Sequence, residues 1–85
     1  MHDTFLLKRI SEALGFFCEA NRFSRVTLLR VVTSLNSHVG HDSLYEQLSM
    51  DHSKEVGEWT EIIVEKRDIN DLTAVIESVE GETLE

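Results

Sequence analysis

The sequence of 85 residues predicts an all-α domain, a small bundle of four to five short helices. Three observations lead there. In the segment from Thr4 to Phe23, the residues Leu6, Leu7, Ile10, Ala13, Leu14, Phe17 and Ala20 recur at the three-and-four spacing of one helical face. The chain has no proline to interrupt a helix. The one run with strand character, residues 25–33, finds no second run of comparable quality, and an isolated strand is not viable in water.

The first helix starts at Asp3 or Thr4, either of which offers a side-chain oxygen to the free N–H groups of the first turn. Gly15 inside it costs about 1 kcal/mol relative to alanine. Phe16 and Phe23 widen the apolar face, and four of the chain's six aromatics fall in this segment, which makes it the expected spine of the core. Asn21 tolerates the left-handed conformation and is the expected stop.

A second helix is predicted from Ser24 to about His38, with Leu28, Leu29, Val31, Val32 and Leu35 apolar. Residues 36–43 form a polar connection around Gly40. A short helix follows from Ser43 to Met50, with Leu44, Tyr45 and Leu48 inward. The next runs from about Ser53 to Arg67, burying Val56, Trp59, Ile62 and Ile63 and turning Glu55, Glu58, Glu61 and Glu65 to solvent. The last spans Ile69 to Val79, started by Asp68 or Asn70 and stopped by Gly81.

Length and composition set further bounds. The chain is expected to form a single domain over residues 1–83, with Leu84 and Glu85 resembling a cloning scar. No apolar run approaches the ~18–20 residues of a membrane span, and no basic stretch leads into an apolar core as in a signal peptide. A lone cysteine, Cys18, fits a reducing cytoplasm. A chain so short hides only about 60–65% of its unfolded surface, so dimerisation with a second copy is a natural source of further stability.

Charge is divided unevenly. Residues 1–37 carry five Lys/Arg against three acids, whereas residues 38–85 carry three against thirteen, within a net charge of −8. This argues against general nucleic-acid binding, which needs a concentrated basic face, and fits a basic protein partner.

Four groups of residues bear on chemistry. His38, His41, Asp42, Glu46 and His52 include metal-ligand types, but Gly40 interrupts the histidines and no fixed ligand motif is present, so they read as a polar surface and no metal or cofactor is expected. Arg22, Arg25 and Arg30 suggest a phosphate-gripping set, the basis of a weaker reading as a helical nucleic-acid-binding dimer. Arg25 and Arg30 are five apart and share no helical face well, so pairing with the chain's own acids is preferred. Cys18 has no cationic neighbour to favour a thiolate, and no histidine is oriented toward it or toward Ser43, so no catalytic set is expected. Trp59 reads as a core or interface anchor.

The fourth group is Val39-Gly40-His41-Asp42-Ser43-Leu44, which resembles the prosthetic-group motif of acyl carrier proteins. The resemblance covers about six residues and implies a helical, acidic carrier with phosphopantetheine on Ser43. Read from the residues alone, Ser43 to Glu46 is a capping box, and that reading is preferred. The leading expectation is therefore a non-enzymatic interaction module (a regulator, adaptor or inhibitor) that binds a protein through its acidic half, with Glu55, Glu58 and Glu61 as contact residues.

Overall fold

A computed structural model describes residues 4–83 and shows a different architecture. The element order is α1 (Thr4–Asn21), β1 (Phe23–Ser34), α2 (His41–Asp51), β2 (Glu61–Arg67) and β3 (Ala74–Thr83). The three strands form one mixed sheet in the order β2-β1-β3. The all-α expectation is thus corrected to an α/β fold. Asp3, named above as a cap, and the Leu84-Glu85 pair lie outside the described residues.

Two of the expected helices are present. α1 buries Leu6, Ile10, Leu14 and Cys18, a ladder in steps of four that faces the core. Phe16 and Phe17 do not join it: Phe16 is 72% exposed, so the aromatic-rich segment packs through its aliphatic stripe. The helix ends at Asn21, whose side chain donates to the Phe17 carbonyl at 2.9 Å, while the left-handed residue is its neighbour Arg22 (φ 57°). α2 buries Leu44 and Leu48.

The other three expected helices are replaced by strands and turns. The predicted second helix is instead the central strand, β1 (Phe23–Ser34). Val26, Thr27, Val31, Val32 and Thr33 are β-branched, which favours a pleated surface over a helix. The last four residues, Val31 to Ser34, are all buried, which erases the two-residue alternation at this end; here Ser34 is tied to the connection before β3 by its hydrogen bond to Asp71. The partners of β1 come from regions read as helix. β2 runs parallel to it, pairing Leu28 with Glu61, Leu29 with Ile62 and Val31 with Val64, and α2 provides the crossover. β3 runs antiparallel on the other side, pairing Leu29 with Val79 and Val32 with Val75.

The remaining punctuation residues act in turns. Asn70 accepts from the Leu72 N–H through its side chain (2.8 Å) and from the Thr73 N–H through its carbonyl (3.0 Å), turning the chain into β3 instead of starting a helix. Gly81, expected as a helix stop, pairs with Val26 beside a register shift in the β1–β3 ladder: a Cβ there would run into the Arg25 carbonyl oxygen and sit 3.0 Å from the Phe23 ring. Residues 55–60 are pinned to the start of β1, since Val26 N–H donates to Glu55 O (2.8 Å) and Thr60 Oγ1 to Val26 O (2.7 Å).

Both helices cover one face of the sheet. Val26, Leu29, Val31 and Ile62 meet Leu6, Ile10, Leu14, Leu44 and Leu48 in one core, closed at its ends by Val39 and Val56. Among the described residues, no helix lies over the opposite face. No helix among the described residues is long and apolar enough to cross a membrane.

Candidate functional site

Three surfaces carry grooves or unpaired charge, and the residue pattern within each decides what chemistry it supports. The first lies between α1 and the C-terminal end of α2, where Ser11, Asp51 and His52 meet. Ser11 Oγ donates to Asp51 Oδ2 at 2.7 Å. His52 Nε2 lies 2.9 Å from the Ser11 carbonyl oxygen and 3.2 Å from Ser11 Oγ. A carbonyl oxygen only accepts, so Nε2 carries the proton and has no lone pair to take the serine's. The carboxylate bonds to the serine and not to the imidazole. This arrangement reverses the roles of a hydrolytic triad and serves to clamp the two helices together.

Gly15 completes the clamp. A Cβ at this position would stand 3.1 Å from His52 Cε1, so the glycine that weakens α1 makes room for the ring. The Ser11 hydrogen bond, reinforced by Gln47, holds the Asp51 carboxyl below its usual range. Nearby Cys18 is pushed the other way: burial, then the Glu55 charge, raises its thiol. It is therefore a protonated packing residue at neutral pH. The groove beside these groups is about 890 Å³ and is bordered by Glu12, Glu19, Glu55 and Arg22.

The second surface is the uncovered sheet face. Paired residues point to the same side, so the register defines its rows. Glu61, Leu28 and Glu80 form one row, followed by Ile63, Arg30 and Ser78, and then by Glu65, Val32 and Val75. Toward the later rows the charges are matched. Arg30 contacts Glu65 at 3.5 Å, and Arg67 contacts Glu65 at 3.1 Å and Glu77 at 3.2 Å. Glu61 and Glu80, at the other end, have no cationic partner among the described residues. Close to that end, Trp59 is held in place: its Nε1 donates to Glu55 O at 3.0 Å and the Arg25 guanidinium lies 4.5 Å from its ring centre.

The third surface is the outer edge of β3 with the adjoining groove against α1. This groove, about 470 Å³, is lined by Leu6, Ile10 and Phe17 on one side and by Leu72, Val75 and Ile76 on the other.

The residues singled out from the sequence are scattered over these surfaces. Glu55, Glu58 and Glu61 share no helical face, because the helix that aligned them is absent: Glu55 borders the first groove, Glu58 is exposed in a turn, and Glu61 opens β2. Arg22, Arg25 and Arg30 form no common patch, since they stand respectively at the first groove, over Trp59 and against Glu65. Ser43 lies inside α2, not at its cap. Gly40 is the cap, and the Ser43 hydroxyl accepts from Gly40 N–H (3.1 Å) and donates to Gly40 O (3.2 Å). The hydroxyl closes the helix start on itself, and the helical bundle implied by the carrier resemblance is absent.

The histidines also separate. His41 pairs with Asp42 at 2.9 Å and stacks on Tyr45, while His52 sits at the far end of α2; no group of metal-binding side chains converges among the described residues. The Ser11–Asp51–His52 contact escaped the sequence reading because its members are 40 and 41 residues apart. Gly15 in a well-formed helix was the one local hint of close approach. No protein-family model matches this chain, and no curated protein matches it either.

Proposed function

We propose that this protein is a non-enzymatic, cytoplasmic interaction module whose acidic second half binds a basic protein partner. The observation that carries the reading is the charge layout of the uncovered sheet face. Arginines satisfy Glu65 and Glu77 internally, whereas Glu61 and Glu80 flank the apolar Leu28 with no counter-ion among the described residues. Unmatched charge beside apolar surface steers and orients an oppositely charged partner. Trp59, 39% exposed and fixed by Arg25 and Glu55, adds a rigid aromatic anchor of the kind that concentrates binding energy.

The test is affinity capture with the native chain and with a Glu61→Lys/Glu80→Lys variant, circular dichroism confirming that both are folded. The expected result is a basic protein retained by the native chain, released by salt and lost from the variant. Retention unaffected by both salt and charge reversal refutes the reading.

A further inference from the structure

We propose that the free edge of β3 and the groove beside it form a strand-addition site for an extended segment of the basic partner. This rests on the function proposed above and specifies where and how that partner binds. Among the described residues the sheet order leaves β3 paired on one side, so its outward N–H and C=O groups are available to another strand. β3 spans ten residues, Ala74–Thr83, and carries Glu77, Glu80 and Glu82 with no lysine or arginine.

The other edge is less suitable. β2 has seven residues, and its last two are occupied: Lys66 Nζ donates to the Ser37 and Val39 carbonyls, and Arg67 bridges Glu65 and Glu77.

The groove determines the sequence character of the occupant. At the start of β3, Leu72 is 73% exposed at the mouth of a groove lined by Leu6, Ile10 and the core-facing Ile76. Alternate side chains of an added strand enter this groove and cover that apolar surface. Toward the end of β3, neither Glu80 nor Glu82 makes an ion pair among the described residues; Arg25, opposite Glu82 in the register, places its guanidinium over Trp59 instead. Arg9 lines the groove, its guanidinium 5.5 Å from the Phe5 ring centre, so positive charge in the ligand belongs at the opposite end. The occupant is therefore apolar where it meets residues 72–76 and basic where it meets residues 80–82. A second copy of β3 is a poor occupant, because two-fold antiparallel pairing gathers three glutamates from each strand along one seam.

The probes are two synthetic peptides matched in length to β3. One has alternating lysine and valine followed by a valine-isoleucine stretch, and the other has the reversed sequence; they fit antiparallel and parallel addition respectively. Each is titrated into the 15N-labelled full chain. Strand addition predicts that one orientation binds with shifts from Leu72 to Glu82 and slows exchange at alternate β3 amides. Affinity falls roughly tenfold when salt is raised well above 0.1 M, where the Debye length drops below about 10 Å. A Glu80→Lys/Glu82→Lys variant, or the milder Glu80→Gln/Glu82→Gln if the first does not fold, weakens binding to a similar degree.

Salt-dependent binding with shifts centred on Leu28, Glu61 and Ile63, or on the groove beside His52, overturns the edge site while leaving a basic partner in place. Failure of both peptides to bind overturns the edge site, and the capture experiment then decides the broader reading independently. A free chain that already self-associates through β3 overturns the assignment to a partner.

Discussion

Replacing Ser11 with alanine tests the clamp between α1 and α2 and gives a loss of stability whose size depends on pH. The serine is buried, and its hydroxyl is one of two side-chain donors to Asp51, Gln47 being the other, each at 2.7 Å. A hydrogen bond to a charged group contributes about 1.5–3 kcal/mol where shielded. Asp51 is exposed, which reduces the expected loss to about 1 kcal/mol. For a domain of this size, that corresponds to a fall of about 4–8 °C in Tm. Because the folded carboxyl titrates below its unfolded value of about 3.9, the bond stabilises fully above that pH and less as pH falls through the folded value. Urea titrations of the native chain and Ser11→Ala at pH 7 and near pH 2 measure both effects. The expected difference is about 1 kcal/mol at pH 7 and markedly smaller in acid. An equal difference at both pH values refutes the assignment of the loss to the Asp51 carboxylate.

Three further outcomes follow from the same contacts. Gly15→Ala gains up to about 1 kcal/mol of helix propensity only where the His52 ring is gone, so the substitution stabilises a His52→Ala background and not the native one; equal effects in both backgrounds, measured by urea unfolding, disprove the steric coupling. Gly81→Ala forces β3 away from the Arg25 carbonyl and is expected to destabilise by about 2 kcal/mol or more, read as a lower urea midpoint with weakened β3 amide protection. Cys18, with its thiol raised by burial, reacts with iodoacetamide slowly in the native chain and rapidly in urea; equal rates contradict its placement in the core.

α1 and α2 were legible because their signals are local. The apolar spacing from Leu6 to Leu14 and the Leu44–Leu48 step are properties of neighbouring turns, and they survive in the fold. The same spacing did not say which large side chains turn inward: Phe16 has the size of a core residue, yet the sheet meets the helix along Leu6, Ile10 and Leu14. The strands were misread for a different reason. Val26 to Thr33 has strand composition, but its value as a strand depends on partners beginning at Glu61 and Ala74, and no local window contains that pairing. Once two such partners exist, Ile62, Ile63 and Val64 are read as a strand and the helical face assigned to Glu55, Glu58 and Glu61 disappears.

The candidate surfaces divide along the same line. Composition alone established that the second half is acidic and that Cys18 has no disulfide partner within the chain, and the polar run around Gly40 marked a connection. Tertiary structure decided which acids remain unmatched, because strand register brings Arg30 to Glu65 and Arg67 to Glu77 and leaves Glu61 and Glu80 without an ion pair among the described residues. It also decided that Ser11, Asp51 and His52 form a structural clamp, since the direction of each hydrogen bond depends on how two helices distant in sequence are docked. Short-range periodicity and charge reside in consecutive residues, whereas pairing and hydrogen-bond direction arise only when segments some thirty or more residues apart are brought together.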